Sequence, residues 1–153
     1  MKIAEFLSAD AIVPRLISAD KEGILRELCV PLARRVPDIG TDRFATVLLE
    51  REKLDSTGIG DGVAIPHGKI AGLPGVVASF GVSAAGVDFK AKDGKPTHLF
   101  FALVAPENSA GMHLRALARV SRLFKNPALR RQIIDTPDAK SIFDLISAED
   151  EKS

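Results

Sequence analysis

Arg51-Glu-Lys-Leu-Asp-Ser-Thr-Gly-Ile-Gly60-Asp-Gly-Val-Ala-Ile-Pro-His67-Gly-Lys69 is the stretch on which the fold and chemistry of this chain turn. Gly58, Gly60 and Gly62 recur at every second position, so the backbone there can take positive φ and expose its amides. Gly62 to Ile65 then reads as a short apolar strand. Pro66 fixes its own φ and biases Ile65 toward extended geometry, so His67 follows on a rigid lead. An imidazole held this way, beside backbone donors, can be presented to an anion.

Upstream, Thr41 is the expected cap of a helix whose apolar face is Phe44, Val47 and Leu48, one turn before Arg51. Before it, Pro37 to Gly40 is a turn. Ser18-Ala-Asp20 opens an earlier helix carrying Ile24, Leu25, Leu28, Leu32 and Val36, with a kink or early break expected at Pro31. Downstream, Val76 to Val82 and His98 to Val104 are the strongest strand candidates, with Val87-Asp-Phe89 a short one between them and Lys92 to Lys95 a turn. Ser109 to Lys125 predicts a long helix with His113, Leu117, Val120 and Phe124 on one stripe. Asn126-Pro127 and Thr136-Pro137 each predict a capped short helix. Strands interleaved with helices make an α/β fold, a mixed sheet of about four or five strands flanked by helices. The expectation is one domain over 1–153, with a core over about 3–147 and a frayed polar tail at 148–153.

The 153 residues suffice for one buried core, and 46% hydrophobic with 27% charged residues is ordinary for a globular protein. A net charge of +1, with both signs mixed along the chain, argues against a nucleic-acid surface or an anionic-membrane surface. Cys29 is the single cysteine, so no internal disulfide and no cysteine-based zinc site can form; it is expected as a buried small hydrophobe. No apolar run approaches the roughly 18 residues of a membrane span, and Met1 to Leu7 lacks a signal-peptide pattern. A cytoplasmic location is therefore expected, with no membrane insertion.

Glycines before a histidine and lysine invite a nucleotide-binding reading, which fails on spacing. A Walker A loop needs four residues between Gly and Gly-Lys, then Ser or Thr. Gly62 and Gly68-Lys69 are one residue too far apart, and Ile70 follows the lysine. A dinucleotide fingerprint needs its glycines between a strand and a helix, whereas here they precede the strand. A zinc site of the three histidines His67, His98 and His113 is disfavoured, because they lie on separate elements without His-x-x-x-His or HExxH spacing.

Arg51-Glu52, Ser56-Thr-Gly-Ile-Gly60, Gly62, Ala64 and Ile65-Pro-His67-Gly-Lys69 resemble the signature of the mannitol/fructose-type enzyme IIA domains of the bacterial phosphoenolpyruvate-dependent phosphotransferase system. The nitrogen-regulatory IIA branch is the nearest in pattern. The likeness continues through Leu99 to Pro106 and Gly111-Met-His113-Leu114. His98 departs from it, since relatives more often carry an acidic or small polar residue there, and it is assigned no role.

The resemblance implies that His67 accepts a phosphoryl group, through Nε2, from a phosphorylated HPr-like protein. A neutral imidazole offers a lone pair near neutral pH without an auxiliary base. The duller alternative is a hydrogen-bonded structural histidine at a strand end. Arg51 is implied at the site, where a guanidinium can hold two phosphoryl oxygens; without the resemblance that role and an exposed helix-end cation stand even. His113 is implied as a support beside His67 rather than a relay, against the alternative of a core-edge histidine. Phosphoryl-binding candidates are Ser56, Thr57, Gly58, Gly68 and Lys69. For Ser56 a turn-stabilising role competes, and Lys69 can equally be a solvated cation. Ile59, Ile65 and Met112 are the expected apolar docking rim. No metal or cofactor is implied. The partners implied are the HPr-like donor and either a IIB component or regulated protein targets. Three functions follow: a regulatory phosphocarrier, a sugar-specific IIA feeding a fructose- or mannitol-type transporter, or a binding module read out by its phosphorylation state.

Overall fold

The two long strands β5 (Val77–Val87) and β6 (Thr97–Pro106) pair antiparallel at the centre of the sheet. Along β6, Leu99, Phe101 and Leu103 enter one core while Phe100, Ala102 and Val104 enter another. Side chains alternate with period two, so a strand covered on both faces is apolar at nearly every position. The computed structural model describes residues 1–152. The sheet has six strands, against the four or five expected. β1 (Ile12–Val13) runs parallel to β5 at one edge. On the far side of β6, β3 (Val63–Ala64) and β4 (His67–Ile70) pair parallel to it one after the other. β2 (Gly58–Gly60) returns antiparallel on β3 through a turn in which Gly60, Asp61 and Gly62 all have positive φ. β1 and β4 escape sequence reading because two to four residues carry too little period to register, and β2 escapes it because its glycines read as a turn.

Helices α1 (Lys21–Arg35) and α2 (Thr41–Leu54) cover one face. Helices α3 (Ala110–Leu123), α4 (Pro127–Ile134) and α5 (Ala139–Glu151) cover the other, with 3-10 turns at Ile3–Glu5 and Ala9–Ala11. The result is a three-layer α/β/α arrangement, as expected for the fold class. Cys29 is fully buried on α1, and burial pushes its thiol up to about 12, which makes it inert.

Several boundaries differ from expectation. α1 runs unbroken through Pro31, whose missing N–H leaves the Glu27 carbonyl without its helical donor, and one residue on the Leu28 carbonyl accepts from the Ser79 hydroxyl at 2.8 Å, tying this turn to the sheet. Gly40, with φ of 82°, is the N-cap of α2, and Thr41 is its first helical residue. Of the expected Val87–Phe89 strand only Val87 is extended in the sheet, as the last residue of β5 paired with Thr97 after an irregularity, and Asp88 and Phe89 lie outside any strand. Asn126 caps α4 as expected, accepting from the Ala128 and Leu129 amides. Asp138, not Thr136, caps α5 by accepting from the Ser141 amide. The polar tail is helical to Glu151, because Asp150 is buried and holds the Ile3 amide at 2.7 Å and Arg119 Nε at 2.5 Å. A buried, fully engaged carboxylate there ties the chain's two ends together.

Candidate functional site

His67 is the first residue of β4, in register with Leu103 of β6. Pro66 before it has no N–H, which separates β3 from β4, yet its carbonyl accepts from the Leu103 amide at 2.9 Å. The ring is half-buried, and Nδ1 donates to the Ile65 carbonyl at 2.7 Å. That bond assigns the neutral tautomer and leaves Nε2 as a free lone pair on the opposite edge. Burial holds the His67 pKa below the ordinary histidine value; the Ile65 carbonyl opposes this, the Arg51 charge adds to it, and Glu52 opposes it.

β4 lies where the two helical layers meet, and a groove of about 690 Å³ opens over it. α2 lines one wall with Val47, Glu50, Arg51 and Leu54. α3 lines the other with Ala110, His113, Leu114 and Leu117. Gly68 and Lys69 continue the floor from His67. Gly68 is what lets α2 approach: a Cβ on it would stand 2.5 Å from Val47 Cγ1. Arg51 Nη1 donates to the Asp55 carbonyl at 3.0 Å, which holds the guanidinium at the end of α2 beside the groove.

His113 is 6% exposed in the first turn of α3. Its ring meets that of His67 edge to face, with centroids 5.5 Å apart and planes at 70°. Its Nε2 is buried without a hydrogen-bond partner. Burial pushes its pKa down to about 4, with the charges on His67 and Lys69 adding, so it is neutral near pH 7. A neutral imidazole carries one N–H, and His113 lines the groove with Nε2 unpartnered among the described residues. Ser109, ahead of α3, donates its hydroxyl to the Pro106 carbonyl and makes no side-chain cap, so the first turn of α3 keeps its amides unengaged by it.

The structure thus brings His67, Arg51, His113, Gly68 and Lys69 to one groove. Ser56, Thr57 and Gly58 do not line it. Ser56 donates to the Phe89 carbonyl at 3.0 Å and accepts from the Gly58 amide at 3.0 Å, so both are engaged in the turn. Thr57 is buried, with its amide and hydroxyl both donating to the Glu52 carboxylate. The apolar residues expected as a docking rim do not line the groove either. Ile65 is buried at 4% exposure, Met112 lines a separate cavity with Met1 and Phe6, and Ile59 lies on β2 outside the groove. The large exposed apolar residues of the groove are Leu54 and Leu114, at 81% and 67%. His98 is on β6 with Nδ1 against the Ser83 carbonyl at 2.9 Å. Among the described residues no group of three or more His, Cys, Asp or Glu side chains gathers as metal ligands.

Leu54 and Leu114 were legible in principle. Val47, Arg51 and Leu54 follow at four and three residues, and Ala110, His113 or Leu114, and Leu117 at the same spacing, so each lies on the helix face that carries Arg51 or His113. Glu52 was likewise visible as a charge at a core position, four residues after Leu48 and eight after Phe44.

Residues 5–149 match the family described as "Phosphoenolpyruvate-dependent sugar phosphotransferase system, EIIA 2". A nitrogen regulatory protein of Bradyrhizobium diazoefficiens is 36% identical over 147 residues, covering 96% of this chain and 95% of that protein. The fructose-specific EIIABC component of the Bacillus subtilis phosphotransferase system is 35% identical over 150 residues, covering 98% of this chain, which spans only 24% of that protein's length. Among solved structures, the nitrogen regulatory protein IIA-Ntr of Neisseria meningitidis superposes with a TM-score of 0.88 at 33% identity, covering 94% of this chain and 98% of that one. The mannitol IIA of Escherichia coli, at 20% identity and a TM-score of 0.76 over 92% of this chain and 98% of that one, shares the fold.

Proposed function

The chain belongs to the EIIA 2 family of the phosphoenolpyruvate-dependent sugar phosphotransferase system, and from that premise we propose that it is a phosphocarrier whose His67 takes a phosphoryl group from a phosphorylated HPr-like protein. One observation carries this reading. Nδ1 of His67 is occupied by the Ile65 carbonyl, which leaves Nε2 as the nucleophile in a groove shared with Arg51 and His113. In the transfer, the Nε2 lone pair forms a bond to phosphorus while the bond from phosphorus to the donor's imidazole breaks, its electron pair returning to that ring.

Such transfer depends on alignment and on stabilising charge spread over three equatorial oxygens. Arg51 supplies a planar, permanently charged donor pair. His113, kept neutral, gives one N–H to an oxygen without competing as a charged neighbour. Lys69, exposed at the groove, adds positive potential. Leu54 and Leu114 form the apolar rim on which the donor docks, with the reacting pair at its centre. No bound nucleotide or metal enters the step.

A regulatory role is supported by the near-complete mutual coverage with the Bradyrhizobium nitrogen regulatory protein. Phosphorylation then changes the charge of the groove that a regulated protein meets. Onward transfer to a IIB component, followed by sugar phosphorylation, would favour the sugar-specific role instead. The direct test is labelling by phosphoenolpyruvate, enzyme I and the HPr-like protein: acid-labile, base-stable phosphate is expected on the native chain and not on His67→Ala. Persistent labelling of the variant would overturn the assignment.

A further inference from the structure

Glu52 stands at a core position of α2, eight residues after Phe44 and four after Leu48, and is 8% exposed. A carboxylate is kept in such a place only when its oxygens are engaged. Oε1 meets Lys21 Nζ at 3.0 Å, and that ammonium lies 4.6 Å from the centroid of the Phe89 ring. Oε2 accepts from the Thr57 amide at 3.1 Å and from the Thr57 hydroxyl. The Thr57 hydroxyl has one proton and gives it to Glu52, so it has none to give a phosphoryl oxygen.

Both reacting-site groups hang from the turn these contacts close. Asp55 lies between Glu52 and Thr57, and its carbonyl accepts from Arg51 Nη1 at 3.0 Å. The Thr57 carbonyl accepts from the Ile65 amide at 3.0 Å. The Ile65 carbonyl in turn accepts from His67 Nδ1 at 2.7 Å. One continuous set of hydrogen bonds therefore runs from Glu52 through Thr57 and Ile65 to the acceptor imidazole, and a branch through Asp55 reaches the guanidinium. Neither Glu52 nor Thr57 lines the groove.

We infer that Glu52 and Thr57 form a latch that positions Arg51 and His67 together, a reading that rests on His67 being the phosphoryl acceptor. In-line transfer tolerates little misplacement, and a side chain is held to within a fraction of an ångström only by groups behind it. The latch fixes the distance between nucleophile and charge clamp by tying the end of α2 to the strand that leads into β4. It also fixes the His67 tautomer, because Ile65 presents its carbonyl to Nδ1 only while its own amide is held by Thr57.

Thr57→Val removes the hydroxyl at nearly constant volume, and Thr57→Ser keeps it. Two measurements on the full chain separate positioning from folding. The first is the 15N shift pair of the His67 ring, which reports the tautomer without any donor. The second is transfer from the phosphorylated HPr-like protein across donor concentrations. Thr57→Val is expected to mix the two His67 tautomers and to lower the rate at saturating donor by roughly tenfold or more, with KM for the donor unchanged. Thr57→Ser is expected to restore both. A folded Thr57→Val chain with the native tautomer and rate would overturn the latch, as would a serine variant as impaired as the valine one. Should the valine variant not fold, Glu52→Gln, which keeps shape but weakens both bonds, is read the same way; a native tautomer and rate there overturn the inference. If the native chain accepts no phosphoryl group, the phosphocarrier assignment fails on its own, and the tautomer measurement still decides whether the latch sets His67.

Discussion

The imidazoles of His67 and His113 meet edge to face, 5.5 Å between centroids and 70° between planes, and Nε2 of His113 is buried with no partner. One ring comes from the sheet edge and the other from the first turn of α3. Burial keeps His113 neutral, with a pKa of about 4, so the pair does not place two cations side by side near pH 7. On the proposed phosphocarrier reading, that unpartnered nitrogen is the one offered to a phosphoryl oxygen on His67.

His113→Ala should therefore slow transfer to His67 by about 10²-fold, the usual cost of removing one donor to developing oxygen charge. His113→Gln, which retains an N–H, should recover part of the loss. Single-turnover transfer from the phosphorylated donor measures both.

Arg51→Lys keeps the charge but loses the planar pair of donors and alters the hold on the Asp55 carbonyl. The rate at saturating donor should fall roughly tenfold or more, with a smaller change in donor KM. Steady-state transfer kinetics check this.

The buried His113 also makes stability depend on pH. Its pKa is about 4 in the folded chain against an ordinary 6.5, so between those values the unfolded chain binds more protons. Stability should be level above about pH 6.5 and decline as pH falls toward about 4, by on the order of 2–3 kcal/mol from this group. Denaturant unfolding across that range should show the slope, and His113→Ala should flatten it. Because burial also holds the His67 pKa low, the transfer rate should persist into the range where an ordinary histidine protonates.

Leu54 and Leu114 are the large exposed apolar side chains of the groove. Replacing both with serine should raise donor KM by roughly tenfold while leaving stability within about 0.5 kcal/mol, since neither is buried. Transfer kinetics and unfolding curves separate the two effects.

Gly68→Ala would put a Cβ 2.5 Å from Val47 Cγ1. Valine is stiff at χ1, so α2 must shift and carry Arg51 with it. A loss of about 1–3 kcal/mol in stability is expected, with slowed transfer even where the chain stays folded.

Much of this molecule is readable from its residues. The apolar runs of β5 and β6, the helical stripes of α1 to α3 and the caps Asp20 and Asn126 follow from local period and chemistry. The pattern around His67 also marks the groove's main residues. What escaped is what tertiary contact decides. Ser56 reads first as a turn residue and Thr57 as either a phosphate ligand or a turn residue, until the Phe89 carbonyl and Glu52 are seen to engage them. The last helix runs past Ser147 because Asp150 finds Arg119 and Ile3, partners about 30 and 147 residues away in sequence. Of the residues expected as an apolar rim, Ile65 is buried and Ile59 and Met112 lie outside the groove, because apolarity alone does not place a residue on the helix faces that carry Arg51 and His113.

The central claim is that Nε2 of His67 forms the bond to phosphorus. A long-range nitrogen-15 spectrum of the chain, phosphorylated through the HPr-like donor, tests it most directly by showing which ring nitrogen couples to phosphorus. Coupling to Nε2 of His67 is the predicted result. Coupling to Nδ1 of His67, or to a nitrogen of His113, would contradict the account.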